Sequence, residues 1–172
     1  MDHRRATGSA RERLLAAASV AFARLGYEQA GVHAICAEAA ATTGALYHHF
    51  GSKAGLFTAV RDRLDETVLA AMRRAAEALP PGPKAVRAAL LAAWDEVQAK
   101  ELAALLAQAN ASPLADPLPP FVQSLWPWAP AALGHVLVAA WRGAVADAAR
   151  HPDGNARQVL DGILRGLGAD VR

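Results

Sequence analysis

Apolar residues recur at helical spacing along nearly the whole chain. Leu14, Ala18, Ala21, Phe22 and Leu25 fall on one face of a 3.6-residue repeat and predict a first helix. Ser9 precedes it as an N-cap with Glu12 three residues on, a capping box, and Gly26 follows where a left-handed C′ residue is wanted. A second helix is predicted from Val32 to Ala39, with Ile35 and Cys36 inward and Gly31 as a cap that offers no side-chain bond. A third runs from Thr43 to Phe50 with Thr42 as its cap. After Gly51, Ser52 caps a fourth helix whose ladder of Leu56, Val60, Leu64, Val68, Ala71 and Ala75 carries it to Leu79, and Pro80-Pro81-Gly82-Pro83 ends it. Helical pattern resumes from Pro83 to about Asn110, either whole or broken near Gln98–Glu101. Residues 111–130 hold six of the ten prolines and form the main irregular region, with a short helix from Phe121 to Leu125 inside it. A helix from Pro130 to Arg150, a turn at His151–Gly154 and a last helix from Asn155 to Leu167 complete the chain. There is no internal repeat and no convincing strand, so the expected fold class is all-α.

Composition agrees with this pattern. Of 172 residues, 53% are hydrophobic, enough to bury a core, and alanine and leucine dominate over β-branched and aromatic types. The net charge of +2 is unevenly spread. Residues 1–63 carry eight Lys/Arg against five Asp/Glu, leaving ten against eleven for the remainder, and four of the six histidines lie in the same N-terminal third. A basic end suggests a polyanionic partner there. Cys36 is the single cysteine, so no intrachain disulfide is available. No apolar run is long enough to span a bilayer, and Met1-Asp2-His3-Arg4-Arg5 lacks an apolar signal core; a cytoplasmic protein with no membrane partner is expected.

The segment that carries chemistry is Ala30–Val60. Two short helices joined through the small residues Ala40 and Ala41 make a helix-turn-helix unit, whose helices must cross closely. In the second of them Leu46 and Phe50 anchor the inner side, while Thr42, Thr43, Gly44 and Ala45 leave a small, polar N-terminal end. Such an end fits a DNA major groove, and its free N–H groups favour phosphate. Tyr47, His48, His49 and Lys53 add hydroxyl, imidazole and ammonium donors suited to phosphate contacts. His33 on the preceding helix is a further candidate, read as a solvated or phosphate-contacting residue ahead of a base reader. The alternative for Tyr47 is a core aromatic. Arg4, Arg5, Arg11 and Arg13 form either a basic arm toward DNA or a solvated terminus.

The run Gly44-Ala45-Leu46-Tyr47-His48-His49-Phe50-Gly51-Ser52-Lys53 followed by Leu56-Phe57 resembles the signature of the TetR family of regulators, and Gly26-Tyr27 and Ile35…Ala39 are similar to the family's first two helices. The likeness covers about residues 10–60. It implies an all-helical homodimer whose N-terminal three helices bind a pseudo-palindromic double-stranded operator, most often as a repressor, and whose C-terminal helices dimerise and hold a small-molecule pocket. Carried over by position, phosphate contacts fall on Tyr47, His49 and Lys53, and base reading on Thr43, Gly44 and Ala45. The chain departs from the family pattern at Gly31, where threonine is common, at Ala40-Ala41, where Gly-Val is common, and at Thr42-Thr43, where Ser-Lys is common. The expected organisation is a helix-turn-helix domain over residues 1–52 and a helical ligand-binding and dimerisation domain over 53–172, opened by the long connecting helix.

In the second domain Trp94, Phe121, Trp126, Trp128 and Trp141 cluster around the proline-rich segment, with Gln98, Gln108, Asn110 and Gln123 as polar neighbours. They read equally as plain core or as the wall of a ligand cavity, with Trp94, Gln98, Phe121, Trp126, Trp128 and Trp141 as its candidate lining. Between Leu102 and Val145 the only charged residues are Asp116 and Arg142, so an uncharged hydrophobic or aromatic effector is expected. The last helix carries two apolar stripes, one of Leu160, Leu164 and Leu167 and another of Val159, Gly162, Ile163 and Gly166, which suits packing on its own subunit and on a partner. No nucleophile with a placed base, carboxylate pair or phosphate-binding glycine loop is present, and neither an enzyme, a metal site nor a cofactor is implied.

Overall fold

The computed structural model describes residues 8–99, 103, 105–106, 116–151 and 153–167. Among them are eight helices with defined limits and no strand: α1 (Ala10–Gln29), α2 (Val32–Glu38), α3 (Thr43–Phe50), α4 (Lys53–Ala76), α5 (Pro83–Ala99), α6 (Leu118–Ser124), α7 (Leu133–Arg150) and α8 (Ala156–Gly166). The all-α expectation is therefore met. The chain divides into two compact units, residues 1–63 and 64–172, so the division falls within α4.

The first unit is built from α1, α2, α3 and the start of α4. Ser9 and Glu12 form the full reciprocal capping box at the head of α1. The helical run continues to Gln29, past the expected stop, with Gly26 in the left-handed region at φ 79° as an internal kink. Leu14, Ala18, Phe22, Ile35, Leu46, Leu56 and Val60 are buried together as the core. Phe22, Tyr27 and Phe57 form an aromatic cluster with centroids 5.1–6.0 Å apart, which fixes the end of α1 against the start of α4. Gly55 is required by close approach: a Cβ there would fall 2.0 Å from the Phe50 carbonyl oxygen at the end of α3.

In the second unit α5 packs on α7 and α8, α6 on α7, and α7 on α8. Val86, Leu90, Trp94 and Val97 of α5 meet a core that includes Leu118, Leu137, Val138, Trp141, Leu160 and Leu164. Two ion pairs tie α8 to α5, Arg87–Asp161 at 2.6 Å and Arg157–Asp95 at 3.0 Å. With Arg87 and Arg165 both bonded to it, the Asp161 carboxyl is held at about 2, below its ordinary 3.8. The bend between α6 and α7 is stitched by Gln123. Its amide nitrogen donates to the Trp126 and Ala129 carbonyls, and its oxygen accepts from the Gly134 N–H.

Three further boundaries differ from the sequence expectation, each by three residues. α4 stops at Ala76 rather than Leu79 because Pro80 disfavours helix in the residue before it; Leu79 N–H closes a tight turn on the Ala76 carbonyl instead. α6 begins at Leu118 rather than Phe121, since Pro119 and Pro120 sit in the first turn, where a missing N–H costs nothing. α7 begins at Leu133, after a turn in which Leu133 N–H bonds to the Pro130 carbonyl at 2.8 Å. The expected continuation of α5 to Asn110, with Gln108, lies outside the described residues, apart from Ala103, Leu105 and Leu106, which are helical and buried.

Candidate nucleic-acid interface

The turn between α2 and α3 is what aims the candidate site. Ala39 ends α2, Ala40 takes the left-handed conformation at φ 46°, and Ala41 N–H returns to the Cys36 carbonyl at 2.9 Å. The Thr42 hydroxyl oxygen then accepts the Ala45 N–H at 3.1 Å, capping α3, so Thr42 is first of all a structural residue. At the other end the Ser52 hydroxyl accepts the Gly55 N–H at 3.0 Å and starts α4.

α3 is fastened by Leu46, fully buried, worth roughly 2 kcal/mol of burial, while Phe50 is half-buried beneath the Arg11 guanidinium at 5.5 Å. Away from that anchor the helix presents Gly44, Tyr47 (52% exposed), His48 and His49 to solvent, with Thr43 and Ala45 half-buried beside them. His33 of α2 is exposed as well. No carboxylate lies on α3, and its last turn carries both imidazoles, whose rings stand edge to face at 5.2 Å. The surface is thus a short ridge of donors with a low, side-chain-free step at Gly44. Nothing in the first unit requires that glycine: a Cβ would meet only the Thr42 hydroxyl oxygen, at an ordinary 3.7 Å.

Lys53 is more engaged than the sequence suggested. Its Nζ donates to the Glu28 carbonyl at 3.0 Å and stands 4.8 Å from the Tyr27 ring centroid, so it closes the end of α1 onto α4 and keeps two N–H bonds for another acceptor. The expected basic arm is corrected for two of its members: Arg11 and Arg13 lie within α1 with partners inside the unit, because the helix starts at Ala10. Arg4 and Arg5 lie outside the described residues. The bonds of Arg13 to the turn are not announced by the sequence; two of its three acceptors are 26 and 27 positions away, beyond any local signal. Cys36 is buried, and burial pushes its thiol up, which leaves it unreactive.

The candidate effector residues fall in two groups. Trp94, Trp126 and Trp141 are buried, and Phe121 is half-buried with Arg73 over its ring at 5.7 Å. Trp128 is 66% exposed, and Gln98 is exposed too. The indole N–H groups of Trp126 and Trp141 are buried with no acceptor among the described residues. A cavity of about 730 Å³ opens elsewhere, in the first unit, lined by α1 and α2 residues including Val20, Leu25 and Ala34. Among the described residues no group of three metal-ligating side chains comes together, and no helix is long and apolar enough to cross a membrane.

Two short crossed helices with a left-handed turn, the second anchored by one leucine and otherwise outward-facing, define a helix-turn-helix unit. Residues 14–60 match the family described as bacterial regulatory proteins of the tetR family. Over 88 residues the chain is 34% identical to the HTH-type transcriptional activator FasR of Mycolicibacterium smegmatis, a stretch that covers 51% of this chain and 40% of that protein. It thus spans well under half the length of that curated relative. A tetR-family regulator of Pectobacterium atrosepticum superposes with a TM-score of 0.68 at 26% identity, covering 94% of this chain and 95% of that one. A putative tetR-family regulator of Shewanella sp. PV-4 superposes with a TM-score of 0.76 over 91% and 96%, and at 18% identity it speaks for the fold alone. Residues 14–60 are thus similar to the tetR-family DNA-binding region, and the relatives and neighbours matched are named as transcriptional regulators.

Proposed function

We propose that the chain is a cytoplasmic transcriptional repressor that binds a pseudo-palindromic DNA operator as a homodimer and is released by a small, uncharged hydrophobic or aromatic molecule. The observation that carries the reading is the outer face of α3: Gly44, Tyr47, His48 and His49 exposed, no carboxylate among them, and Leu46 holding the helix from behind. Thr43 reads a base edge or a thymine methyl, Gly44 and Ala45 let the helix backbone approach, and Tyr47, His48, His49, His33 and Lys53 meet phosphates.

The dimer is supported by the exposed stripe of α8, where Val159 and Ile163 are 52% and 53% exposed, and by Val136 of α7, 59% exposed. Gly162 and Gly166 have open space where a Cβ would stand, so a second backbone can come close. The effector is supported by the two buried indole donors that lack an acceptor among the described residues, a costly arrangement which an oxygen or nitrogen of a bound molecule relieves. Release requires that this molecule bind one conformation better than the other.

Selection of duplexes from a random pool, followed by a reporter assay on the selected site, tests the reading. Substituting Thr43 shifts the preference at one position of each half-site by roughly 1–3 kcal/mol; an unchanged preference removes Thr43 from the readout. FasR is named an activator, and the reporter decides the sign for this chain. Exposure of Trp128 and Gln98 favours a second reading, a regulator without small-molecule effector that answers to a protein partner or to its own abundance. Tryptophan fluorescence on ligand titration separates the two, since all four tryptophans lie in residues 94–141.

A further inference from the structure

We infer that Arg13 is a positioning residue for α3, holding the turn that aims the recognition helix through backbone carbonyls and never through DNA itself. This role rests on the DNA-binding reading of α3.

Ala40 is the only non-glycine with positive φ among the described residues, and at 46° its Cβ crowds the following carbonyl. It stands two positions before the α3 cap, so whatever holds Ala40 sets where α3 begins. The carbonyls just past the end of α2, those of Ala39 and Ala40, have no helical donors. Arg13 supplies them across the unit: Nε donates to the Ala39 carbonyl at 2.9 Å and one terminal nitrogen to the Ala40 carbonyl at 3.3 Å, while the other donates to Gly8 at 2.7 Å. The guanidinium is a rigid planar fork, so the three carbonyls are fixed relative to one another and to α1, which a flexible ammonium cannot do. Its charge also sits at the C-terminal end of α2, where the helix favours a cation. The side chain is half-buried, each of its three nitrogens already bonds a carbonyl so that its plane is fixed by the unit, and among the described residues no carboxylate pairs with it. Arg13 is therefore placed as a brace of the turn and not as a phosphate ligand. On the turn's other side the backbone closes itself, Ala40 N–H to Ala37 and Ala41 N–H to Cys36. The left-handed alanine is held from both sides, and a glycine at 40 needs less holding.

The test compares Arg13→Gln, Arg13→Lys, Ala40→Gly and the Arg13→Gln/Ala40→Gly pair in the full chain. Two readouts are taken: affinity for a duplex selected by the wild-type protein, and amide hydrogen exchange at Ala40, Ala41 and Leu46 without DNA. Arg13→Gln is expected to cost tenfold or more in affinity, with base preference and salt slope unchanged, and to speed exchange at Ala40 and Ala41 more than at Leu46. Arg13→Lys should fall between and keeps the charge, so it serves if the glutamine variant unfolds. Ala40→Gly should restore most of the lost affinity in the pair. A reduced salt slope with no rescue by Ala40→Gly makes Arg13 a phosphate contact and overturns the proposal. Unchanged exchange at Ala40 and Ala41 in both Arg13 variants overturns it as well. Failure of the wild-type protein to select any duplex removes the DNA-binding reading by itself, while the exchange rates still judge the brace.

Discussion

Replacing Ile163 tests the proposed dimer face with a magnitude that follows from the structure. The side chain is 53% exposed in the single chain, so about half of the burial worth of an isoleucine, roughly 1.5–3 kcal/mol in full, is still to be gained on association. Twofold symmetry places the residue in the interface twice, and Ile163→Ala should weaken the dimer by about 2 kcal/mol, or roughly thirtyfold in dissociation constant. Ile163→Asp goes further. It sets two unpaired carboxylates against apolar surface at several kcal/mol each, enough to leave a monomer at micromolar concentration. Because the position faces solvent within one chain, helix content should stay as in the wild type. Sedimentation velocity over a concentration series, with circular dichroism alongside, measures both. Val20→Asp is the control, 56% exposed on α1 and outside the proposed face; it should leave the dimer intact. A wild-type dimer that Ile163→Asp leaves unshifted refutes the assignment of the interface to α8.

Three further outcomes are expected. Lys53→Ala should weaken binding to the selected duplex by the same factor whatever its sequence and lower the salt slope by about one per phosphate contacted. It should also cost about 1 kcal/mol of stability from the lost Glu28 and Tyr27 contacts, read by salt titration and urea unfolding; a changed base preference at constant slope speaks against the phosphate role. Gly44→Ala should stabilise α3 by up to about 1 kcal/mol, since the Cβ has room, yet lose DNA affinity to the added methyl; unimpaired binding contradicts close backbone approach there. The Asp161 carboxyl is held low by Arg87 first and Arg165 second, so its contribution is complete above its ordinary 3.8 and is lost as pH falls through about 2. Denaturant unfolding between those values should show wild-type stability dropping more steeply than that of Asp161→Asn, and parallel curves would mean the pairs do not stabilise α8.

The first unit was legible almost residue by residue because its signals are local. Ser9 with Glu12, Thr42 and Ser52 each bond to a backbone N–H three residues on, and each helix starts where its cap says. The second unit was harder to read. Proline at 119 and 120 reads as a breaker in sequence, whereas in a first turn it is compatible with helix, and α6 starts three residues before Phe121. Contacts across the chain were not visible at all. Nothing near Arg13 announces the carbonyls of Ala39 and Ala40, and nothing near Lys53 announces that of Glu28. Aromatic clustering in sequence also did not decide depth: Trp126 is buried and Trp128, two residues on, is not.

The outward face of α7 and α8, if it is the proposed dimer face, has a consequence for partner choice. Val136, Ala139, Ala140 and Gly143 on one helix and Val159, Gly162, Ile163 and Gly166 on the other carry no charge at all. A surface of that kind, charged only where Asp147 and Arg150 end the α7 stripe, has little ionic means of rejecting a related chain, so discrimination among paralogues falls mainly to relief. Gly143, Gly162 and Gly166 are hollows with nothing in them. A sister protein with larger side chains at the matching positions is kept at a distance by simple exclusion, and one with the same hollows is not. Exchange of subunits among relatives should therefore follow side-chain volume along this stripe, whatever their charges elsewhere.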